Sequence, residues 1–383
     1  MSEAEFRRDQ VNLLRFLLIV GLVCLHYGPY PGSSHSPFRG YLPTDVPLAT
    51  FVNAYVLFFF FSAVPLLGAI SGYLFFKDWD HSPGFYLKRY VSRARSILLP
   101  MVTWNAIVLG LFVSLAVLRP GSALQSVIAY DVENLGIRDL VNALVGVTRH
   151  PVNFQFWFLR DLFLTILCAP LLGLMIKRAP FAGLVGLFIV WLGNFKLGIF
   201  FRTDVLFFFY VGGLIQVRGW PVQPLPSRTA VAVLLAYAIL IGVRTLVPSM
   251  VSLDSETAVT VLNILTRLLR ILGVVALWSA APLLLRTRIG QWMVQMSALA
   301  FFLHAVHWPM NQFIKIGIDK AFPDRQEWTL LLNYVGTTLL TIAAAILIAR
   351  VLDAVAPQFF RHLSGGRSGP WVLAARRRPA LST

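Results

Sequence analysis

Apolar stretches of about 20 residues recur along nearly the whole chain and alternate with short polar or basic segments. A helix of this length crosses the roughly 30 Å of hydrocarbon in a bilayer and satisfies its own backbone polar groups there. The pattern therefore predicts ten transmembrane helices. They cover residues 11–30, 50–76, 97–118, 156–176, 181–200, 203–217, 229–248, 259–285, 290–314 and 328–352.

These helices predict an all-α, polytopic membrane protein with one membrane domain over residues 7–352. The remaining segment, residues 353–383, is rich in Gly, Pro and Arg and is predicted to be a disordered basic tail. Composition agrees, since 57% of the 383 residues are hydrophobic and only 13% are charged. Both cysteines, Cys24 and Cys168, fall inside predicted helices, so the sequence predicts neither a disulfide framework nor a thiolate metal site.

The net charge of +16 is distributed unevenly between the two sides of the predicted membrane domain. With the amino terminus inside, the cytoplasmic segments hold 18 Lys and Arg residues and the outer segments hold nine. This excess follows the positive-inside rule, and ten helices then place both termini in the cytoplasm. Because topology accounts for the charge, the basic composition does not predict a nucleic-acid partner.

The first predicted helix, "NLLRFLLIVGLVCLHY", carries Arg15 and His26 in an otherwise apolar run. Eleven residues are almost three helical turns, so the two side chains share one face, roughly 16 Å apart along the axis. Taken singly, Arg15 can extend to the cytoplasmic surface and His26 can be a neutral ring bonded to backbone. Their common face indicates a polar track, with a guanidinium suited to a cytoplasmic phosphate and an imidazole suited to proton transfer.

A second polar pair, His304 and His307, lies in "SALAFFLHAVHWPM" on one face of a late helix. The two rings are predicted at a depth similar to that of His26. A two-histidine zinc site would require a third ligand or an accompanying Glu, and that helix has none. We expect aromatic stacking and hydrogen bonding in a pocket wall, and no metal.

Three further arginines fall inside predicted helices and leave alternatives open. Arg267 and Arg270, in "TRLLR", favour either an anion contact or a buried pair with Asp161 or Asp204. Arg160, in "FWFLRDLF", favours either a site role or a local structural pair with Asp161.

The arginine, ten residues and histidine of the first helix resemble the first-helix signature of the acyltransferase 3 family of integral-membrane acyltransferases. Four more stretches resemble the family in order: "FFFFSAVPLLGAISGYLF", "KRYVSRARSILLP", "FWFLRDLFLTILCAPLL" and "FFLHAVHWP". The resemblance covers about residues 7–350. Two positions depart from it, because Ser92 stands where the family often has an arginine and His304 replaces the usual tyrosine.

The resemblance implies a multi-pass enzyme of the plasma membrane, in bacteria the inner membrane. It implies transfer of an acyl group, most often acetyl, from cytoplasmic acyl-CoA to a hydroxyl of a surface glycan or lipid-linked sugar. Acyl-CoA would be a co-substrate, with no bound cofactor. His26 would act as the catalytic base, or alternatively would carry the acyl group itself.

The remaining residues are assigned to two binding regions. Donor binding is predicted for Arg15, Lys88, Arg89, Arg93 and Arg95. The acceptor pocket is predicted to contain Trp157, Arg160, Arg267, Arg270, His304 and His307.

The alternative to an enzyme is a transporter or flippase for an anionic solute, with Arg15, Arg267 and Arg270 as its translocation site. A transporter requires no thioester, and the register of Arg15 and His26 would then be incidental. Acyl transfer from acyl-CoA by the purified protein distinguishes the two.

Overall fold

The computed structural model describes residues 2–120, 127–251 and 255–371. Within these ranges the regular elements are helical, and no β-strand occurs. The α-helices are α1 Glu3–Leu25, α2 Pro47–Phe59, α3 Ala63–Phe75, α4 Pro83–Arg93, α5 Leu99–Leu118, α6 Ile137–Val145, α7 Trp157–Leu167, α8 Ala169–Arg178, α9 Pro180–Leu192, α10 Asp204–Arg218, α11 Ser227–Met250, α12 Glu256–Leu285, α13 Arg288–Met296, α14 Ala300–Ala321, α15 Glu327–Val355 and α16 Pro357–Leu363.

Short segments of other helical types join several of these helices. Four are 3₁₀ turns, at Pro37–Arg39, Phe60–Ser62, Phe154–Phe156 and Ser297–Leu299. The fifth is a π-helical segment, Ala94–Leu98, which leads from α4 into α5.

Six helices of the described ranges are long and apolar enough to cross a membrane, which identifies a multi-pass membrane protein. They are Pro47–Phe75, Pro83–Leu118, Ser227–Met250, Glu256–Leu285, Arg288–Ala321 and Glu327–Val355. The number rises to seven if the pair of α7 and α8 is one span, bent by 58°.

Each of the ten predicted segments contains helix, but several end earlier than predicted. The first helix stops at Leu25 instead of residue 30, because Gly28 has a left-handed φ of 74° and Pro29 follows it. The segment 181–200 is helical only to Leu192. Helices α9 and α10 are 13 and 15 residues long, shorter than a full span.

The first helix, α1, lies at the centre of the bundle, in contact with α3, α12, α13, α14 and α15. Its residues Leu13, Leu14 and Leu18 are completely buried. Helices α3 and α10 approach until their backbones touch, since a Cβ built on Gly212 would lie 1.9 Å from the carbonyl oxygen of Ala69. This close packing fixes the helices that surround α1.

The segment from residue 353 differs from the predicted disordered tail over the part that the structure describes. Helix α16 packs inward, with Phe360 and Leu363 at 0% and 2% exposure. Farther along, the indole Nε1 of Trp371 donates to Asp353 at 2.5 Å. These apolar contacts explain the order, because aromatic residues embedded in a basic sequence supply a buried face. Residues 372–383 lie outside the described ranges.

Candidate active site

The backbone of His26 is held firmly where α1 ends. Its amide donates to the carbonyl of Leu22 at 2.9 Å, which completes the last helical turn. Its carbonyl accepts from the side-chain amides of Asn311 at 3.1 Å and Gln312 at 3.3 Å, both on α14. The carboxyl end of α1 is therefore fixed against α14.

The ring of His26 makes a direct hydrogen bond to His307 on α14. The distance from Nδ1 of His26 to Nε2 of His307 is 2.9 Å, and the rings are nearly parallel, with centroids 5.2 Å apart. Phe154 packs edge-on against His26 at 5.0 Å between centroids. The ring of His26 is thus restrained by both a hydrogen bond and an aromatic contact.

The hydrogen bonds define the tautomers of both rings in their neutral form. Nδ1 of His307 lies 3.1 Å from the carbonyl oxygen of Leu303, which only accepts, so that nitrogen carries the proton. Nε2 of His307 is then the acceptor, and Nδ1 of His26 is the donor. Nε2 of His26 keeps its lone pair and has no hydrogen-bond partner within the described residues. A nitrogen with this freedom can take a proton or attack a carbonyl.

His26 opens into a small cavity of about 120 Å³ at the carboxyl end of α1. Phe60, Trp157, Arg202, Arg270 and His304 also line it. Of the predicted acceptor residues, Trp157, Arg270 and His304 therefore line this cavity, while His307 lies directly behind His26.

Several polar atoms around this cavity have no partner among the described residues. They are Oε1 of Gln155, Nε of Arg270 and both ring nitrogens of His304. Buried polar groups are almost always hydrogen-bonded in folded proteins, because an unpaired one is costly. This cluster is suited to a ligand that both donates and accepts hydrogen bonds.

The rings of His304 and His307 lie close to each other and to two phenylalanines. Their ring centroids are 5.6 Å apart, and Phe156 and Phe158 pack around His304. Within the described ranges, no group of three His, Cys, Asp or Glu side chains is placed to hold a metal ion.

The two arginines of α12 have different partners. Arg270 forms an ion pair of 2.5 Å with Asp204, whose carboxylate also accepts from the indole of Trp191 at 3.1 Å. Arg267 donates to the carbonyl of Trp191 at 2.6 Å and to Asn194 Oδ1 at 2.5 Å. Of the predicted alternatives, the buried pair with Asp204 is the arrangement found for Arg270. Arg267 does not line the small cavity.

Arg160 has a structural environment. It pairs with Asp161 at 2.7 Å and donates to the carbonyls of Gly146 at 2.9 Å, Val147 at 3.1 Å and Ile199. The local pair with Asp161 is thus the geometry observed, and Arg160 does not line the cavity.

A second, larger cavity of about 1050 Å³ lies at the amino-terminal end of α1. Its walls are mostly apolar, but Arg7, Arg8, Arg15 and Lys77 line it with Glu3 as the single acid. Glu3 is already paired with Arg7 at 2.7 Å. The cavity therefore presents unneutralised positive charge to a ligand.

The two cavities lie end to end along the same four helices. Helices α1, α3, α10 and α12 each contribute residues to both cavities. Their residues in the small cavity are Leu22 with the capping residue His26, Pro65, Asp204 and Arg270, respectively. Their residues in the large cavity are Arg15, Leu66, Gly212 and Val274, respectively. On α1, the residues between them include Leu18 and Ile19, at 0% and 6% exposure. Arg15 and His26 therefore belong to two cavities that a layer of packed side chains separates.

The predicted basic run lies beside this arrangement rather than in either cavity. Lys88 and Arg95 are exposed, whereas Arg89 and Arg93 are partly buried. Arg89 donates to the carbonyl of Lys77 at 2.8 Å and lies over the ring of Phe85 at 5.0 Å.

Three residues near the proposed site were not identified as candidates from the sequence. Gln155 precedes the Trp-Phe-Leu helix and is completely buried. Its only signal in the sequence was a single amide side chain within an aromatic run. Arg202 places its guanidinium over Trp157 at 4.9 Å, although the charge count treated it only as an outer residue. Arg367 was assigned to the disordered tail, whereas it follows a turn at Gly365 that rests on the backbone of Ser96.

Comparisons with known proteins agree with this architecture. The acyltransferase 3 family, described as an acyltransferase domain, matches residues 8–350. The chain is 30% identical over 379 residues to the succinoglycan biosynthesis protein ExoH of Rhizobium meliloti (strain 1021), which covers 96% of this chain and 94% of the relative. No solved structure matches the chain. The chain therefore belongs to the acyltransferase 3 family and is a membrane-bound O-acyltransferase.

Proposed function

We propose that the protein transfers an acyl group, acetyl in the first instance, from cytoplasmic acyl-CoA to a hydroxyl of a polysaccharide or of its lipid-linked precursor. The family supports the reaction type, and the name of the relative, a succinoglycan biosynthesis protein, supports a polysaccharide acceptor. The proposal includes ten membrane-spanning segments, cytoplasmic termini and a location in the plasma membrane, the inner membrane of a bacterium. The excess of basic residues in the predicted cytoplasmic segments supports this orientation.

The observation that carries the proposal is the end-to-end arrangement of two cavities on α1. In the proposed orientation, the large basic cavity faces the cytoplasm and the small one opens toward the outside. A donor and an acceptor can then approach the same point from opposite sides of the membrane. His26 lies on the acceptor side of the separating layer.

The large cavity fits the chemistry of coenzyme A. Arg7, Arg8, Arg15 and Lys77 offer positive charge for its phosphates, and the apolar walls suit the pantetheine arm. An extended arm starting near Arg15 points along α1 toward His26, which lies roughly 16 Å away on the far side of the separating layer. The thioester is delivered to the layer between the cavities.

The geometry of His26 supplies the proton transfer. Its Nε2 takes the proton of the acceptor hydroxyl as the oxygen attacks the thioester carbonyl. The tetrahedral intermediate collapses with cleavage of the carbon–sulfur bond, and the leaving thiolate recovers the proton from His26. His307 holds the ring in the tautomer that this step requires. In the alternative, the same lone pair attacks the thioester first and His26 carries the acyl group.

Unpartnered polar atoms support a sugar as the acceptor. A sugar hydroxyl can donate to a ring nitrogen of His304 or to Oε1 of Gln155 and can accept from Nε of Arg270. The aromatic residues Phe60 and Trp157 provide the apolar surface on which a sugar ring packs.

The test uses purified full-length protein in detergent with acetyl-CoA and the cell-envelope polysaccharide of its host. We expect release of CoA thiol coupled to acylation of the polysaccharide, and a loss of at least about 100-fold in His26→Ala. His81→Ala, at an exposed histidine outside both cavities, is the matched control and should retain activity. Full activity of His26→Ala would contradict the mechanism. Transport of an anionic solute without any acyl transfer would favour the alternative function.

A further inference from the structure

The carboxyl-terminal segment is anchored to α5 by specific contacts. Thr103 Oγ1 and His362 Nε2 lie 2.8 Å apart, and the indole of Trp104 donates to the carbonyl of Leu363 at 3.0 Å. Phe360 packs against Phe302 of α14, with centroids 5.5 Å apart and the rings tilted by 44°. These contacts hold α16 against the beginning of α5, next to the basic run.

The chain then turns sharply toward the end of α4. Gly365 and Gly366 adopt left-handed φ values of 66° and 86°. A Cβ built on Gly365 would lie 2.6 Å from the carbonyl oxygen of Ser96, so the backbone rests directly on the π-helical segment that follows Arg93. The turn therefore places Arg367, two residues later, beside that segment.

Three arginines from distant parts of the sequence converge here. Arg93 immediately precedes the π-helical segment on which the turn at Gly365 rests, so Arg93 and Arg367 both lie beside that segment. The electrostatic influence of both guanidinium groups on Arg15 indicates that the three lie within interaction range of one another. All three side chains are partly buried. Among the ion pairs of the described residues, none joins these three to a carboxylate. Like charges held together without an acid are unfavourable until an anion binds between them.

Phosphate groups satisfy this arrangement best. A guanidinium presents paired N–H donors that match two oxygens of a phosphate, and several guanidinium groups match the charge of a diphosphate. Arg15 also lines the large cavity, so a phosphate bound by Arg15 lies at the wall of the space proposed for the donor.

We infer that Arg367 completes, with Arg15 and Arg93, a site for a phosphate group of the acyl donor, and that the carboxyl-terminal turn is part of the donor site. The inference rests on the proposed function. The family match ends at residue 350, so this arginine comes from outside the matched domain. Arg367 is a binding residue and takes no part in the chemistry at His26.

The experiment measures binding of CoA and of 3′-dephospho-CoA to full-length protein in nanodiscs of neutral phosphatidylcholine. Arg367→Gln should weaken CoA binding about tenfold, and Arg367→Lys should restore part of it. Arg361→Gln, an exposed arginine on the same segment, should bind CoA as the unmodified protein does. In turnover, Arg367→Gln should raise the KM for acetyl-CoA and leave kcat unchanged. A change confined to CoA, with no effect on the 3′-dephospho form, would assign the contact to the 3′-phosphate.

Two results would overturn the inference while leaving the proposed function intact. One is unchanged CoA affinity and KM in Arg367→Gln while the unmodified protein transfers acetyl groups. The other is an effect of Arg367→Gln on bound phosphatidylglycerol alone, in nanodiscs containing that lipid, which would make the arginines a lipid headgroup site. Absence of CoA binding to the unmodified protein would instead refute the proposed function, and the donor assignment with it.

Discussion

At the scale of the residue, the proposed chemistry depends on which nitrogen of His26 is free. Nδ1 of His26 donates to Nε2 of His307, and Nδ1 of His307 donates to the carbonyl of Leu303. The carbonyl of His26 accepts from the side-chain amide of Asn311. The free lone pair on Nε2 is thus a result of three linked hydrogen bonds rather than of His26 alone. Removing one link changes the orientation of the ring without removing the ring.

The first prediction concerns His307. His307→Leu should lower kcat by about 100-fold with little change in the KM for acetyl-CoA, because His26 loses the acceptor that orients it. His307→Gln offers a side-chain oxygen to the same N–H and should recover part of the rate. Steady-state kinetics of the two variants checks this, and full activity in His307→Leu would show that the hydrogen bond is not required.

The second prediction concerns His304. His304→Phe should raise the KM for the polysaccharide acceptor about tenfold and leave the KM for acetyl-CoA unchanged. The melting temperature should stay the same or rise, because two buried nitrogens without partners are replaced by an apolar ring. Kinetics and thermal unfolding in detergent test both halves. A lower melting temperature with an unchanged acceptor KM would indicate a purely structural histidine.

The sequence indicated which residues are candidates for this site, but it did not indicate which of them form hydrogen bonds with one another. The spacing of Arg15 and His26, and that of His304 and His307, follows from helical periodicity and is visible in a single segment. The contact between His26 and His307 joins residues 281 positions apart and depends on how α1 packs on α14. No local pattern carries that information.

At the scale of the element, the proposed function gives α1 two roles that depend on its register. Its amino-terminal half lines one cavity and its carboxyl end lines the other, while Leu18 and Ile19 seal the space between. The angle between Arg15 and His26 therefore matters as much as the identity of either residue.

The third prediction alters that angle. One alanine inserted after Leu18 rotates His26 by about 100° relative to Arg15 and lengthens α1 by only about 1.5 Å. Acyl transfer should fall as far as in His26→Ala, with the protein still present in the membrane fraction. Activity assays and immunoblots of membranes measure the two quantities.

A matched insertion after Ser34 provides the control. Ser33 and Ser34 lie in an exposed stretch of the loop that follows α1, so the register of the helix is untouched and most activity should survive. If the insertion after Leu18 stays active while His26→Ala does not, the shared face of Arg15 and His26 has no function.

The sequence predicted which segments are helical more accurately than where each helix begins and ends. Each of the ten predicted segments contains helix, because burial and lipid exposure both require apolar runs. Within the described ranges, six helices, or seven with the bent pair of α7 and α8, are long and apolar enough to span a membrane. The ends depended on local conformations such as the left-handed Gly28. The order of residues 357–363 depended on the pocket that receives Phe360, which only the assembled bundle provides.

At the scale of the whole molecule, the proposed function requires that the two cavities face opposite compartments. The fourth prediction tests this with single cysteines in a background with Cys24 and Cys168 replaced by alanine. Glu133 and Lys177 are both exposed and lie in segments predicted to face outside and inside, respectively. Glu133→Cys should react with a membrane-impermeant maleimide in intact cells, and Lys177→Cys only after permeabilisation. Equal labelling of both in intact cells would refute the proposed topology.

The sealed layer around Leu18 and Ile19 also has an electrical consequence. In the proposed reaction the phosphates of the donor stay on the Arg15 side, and only the uncharged pantetheine arm and acetyl group enter the layer. Moving one elementary charge across a membrane potential of 100 mV involves about 2.3 kcal/mol, but the proposed reaction exchanges an acyl group for a proton and moves no net charge. In the proposed reaction, the acyl group therefore passes from one compartment to the other without work against the membrane potential.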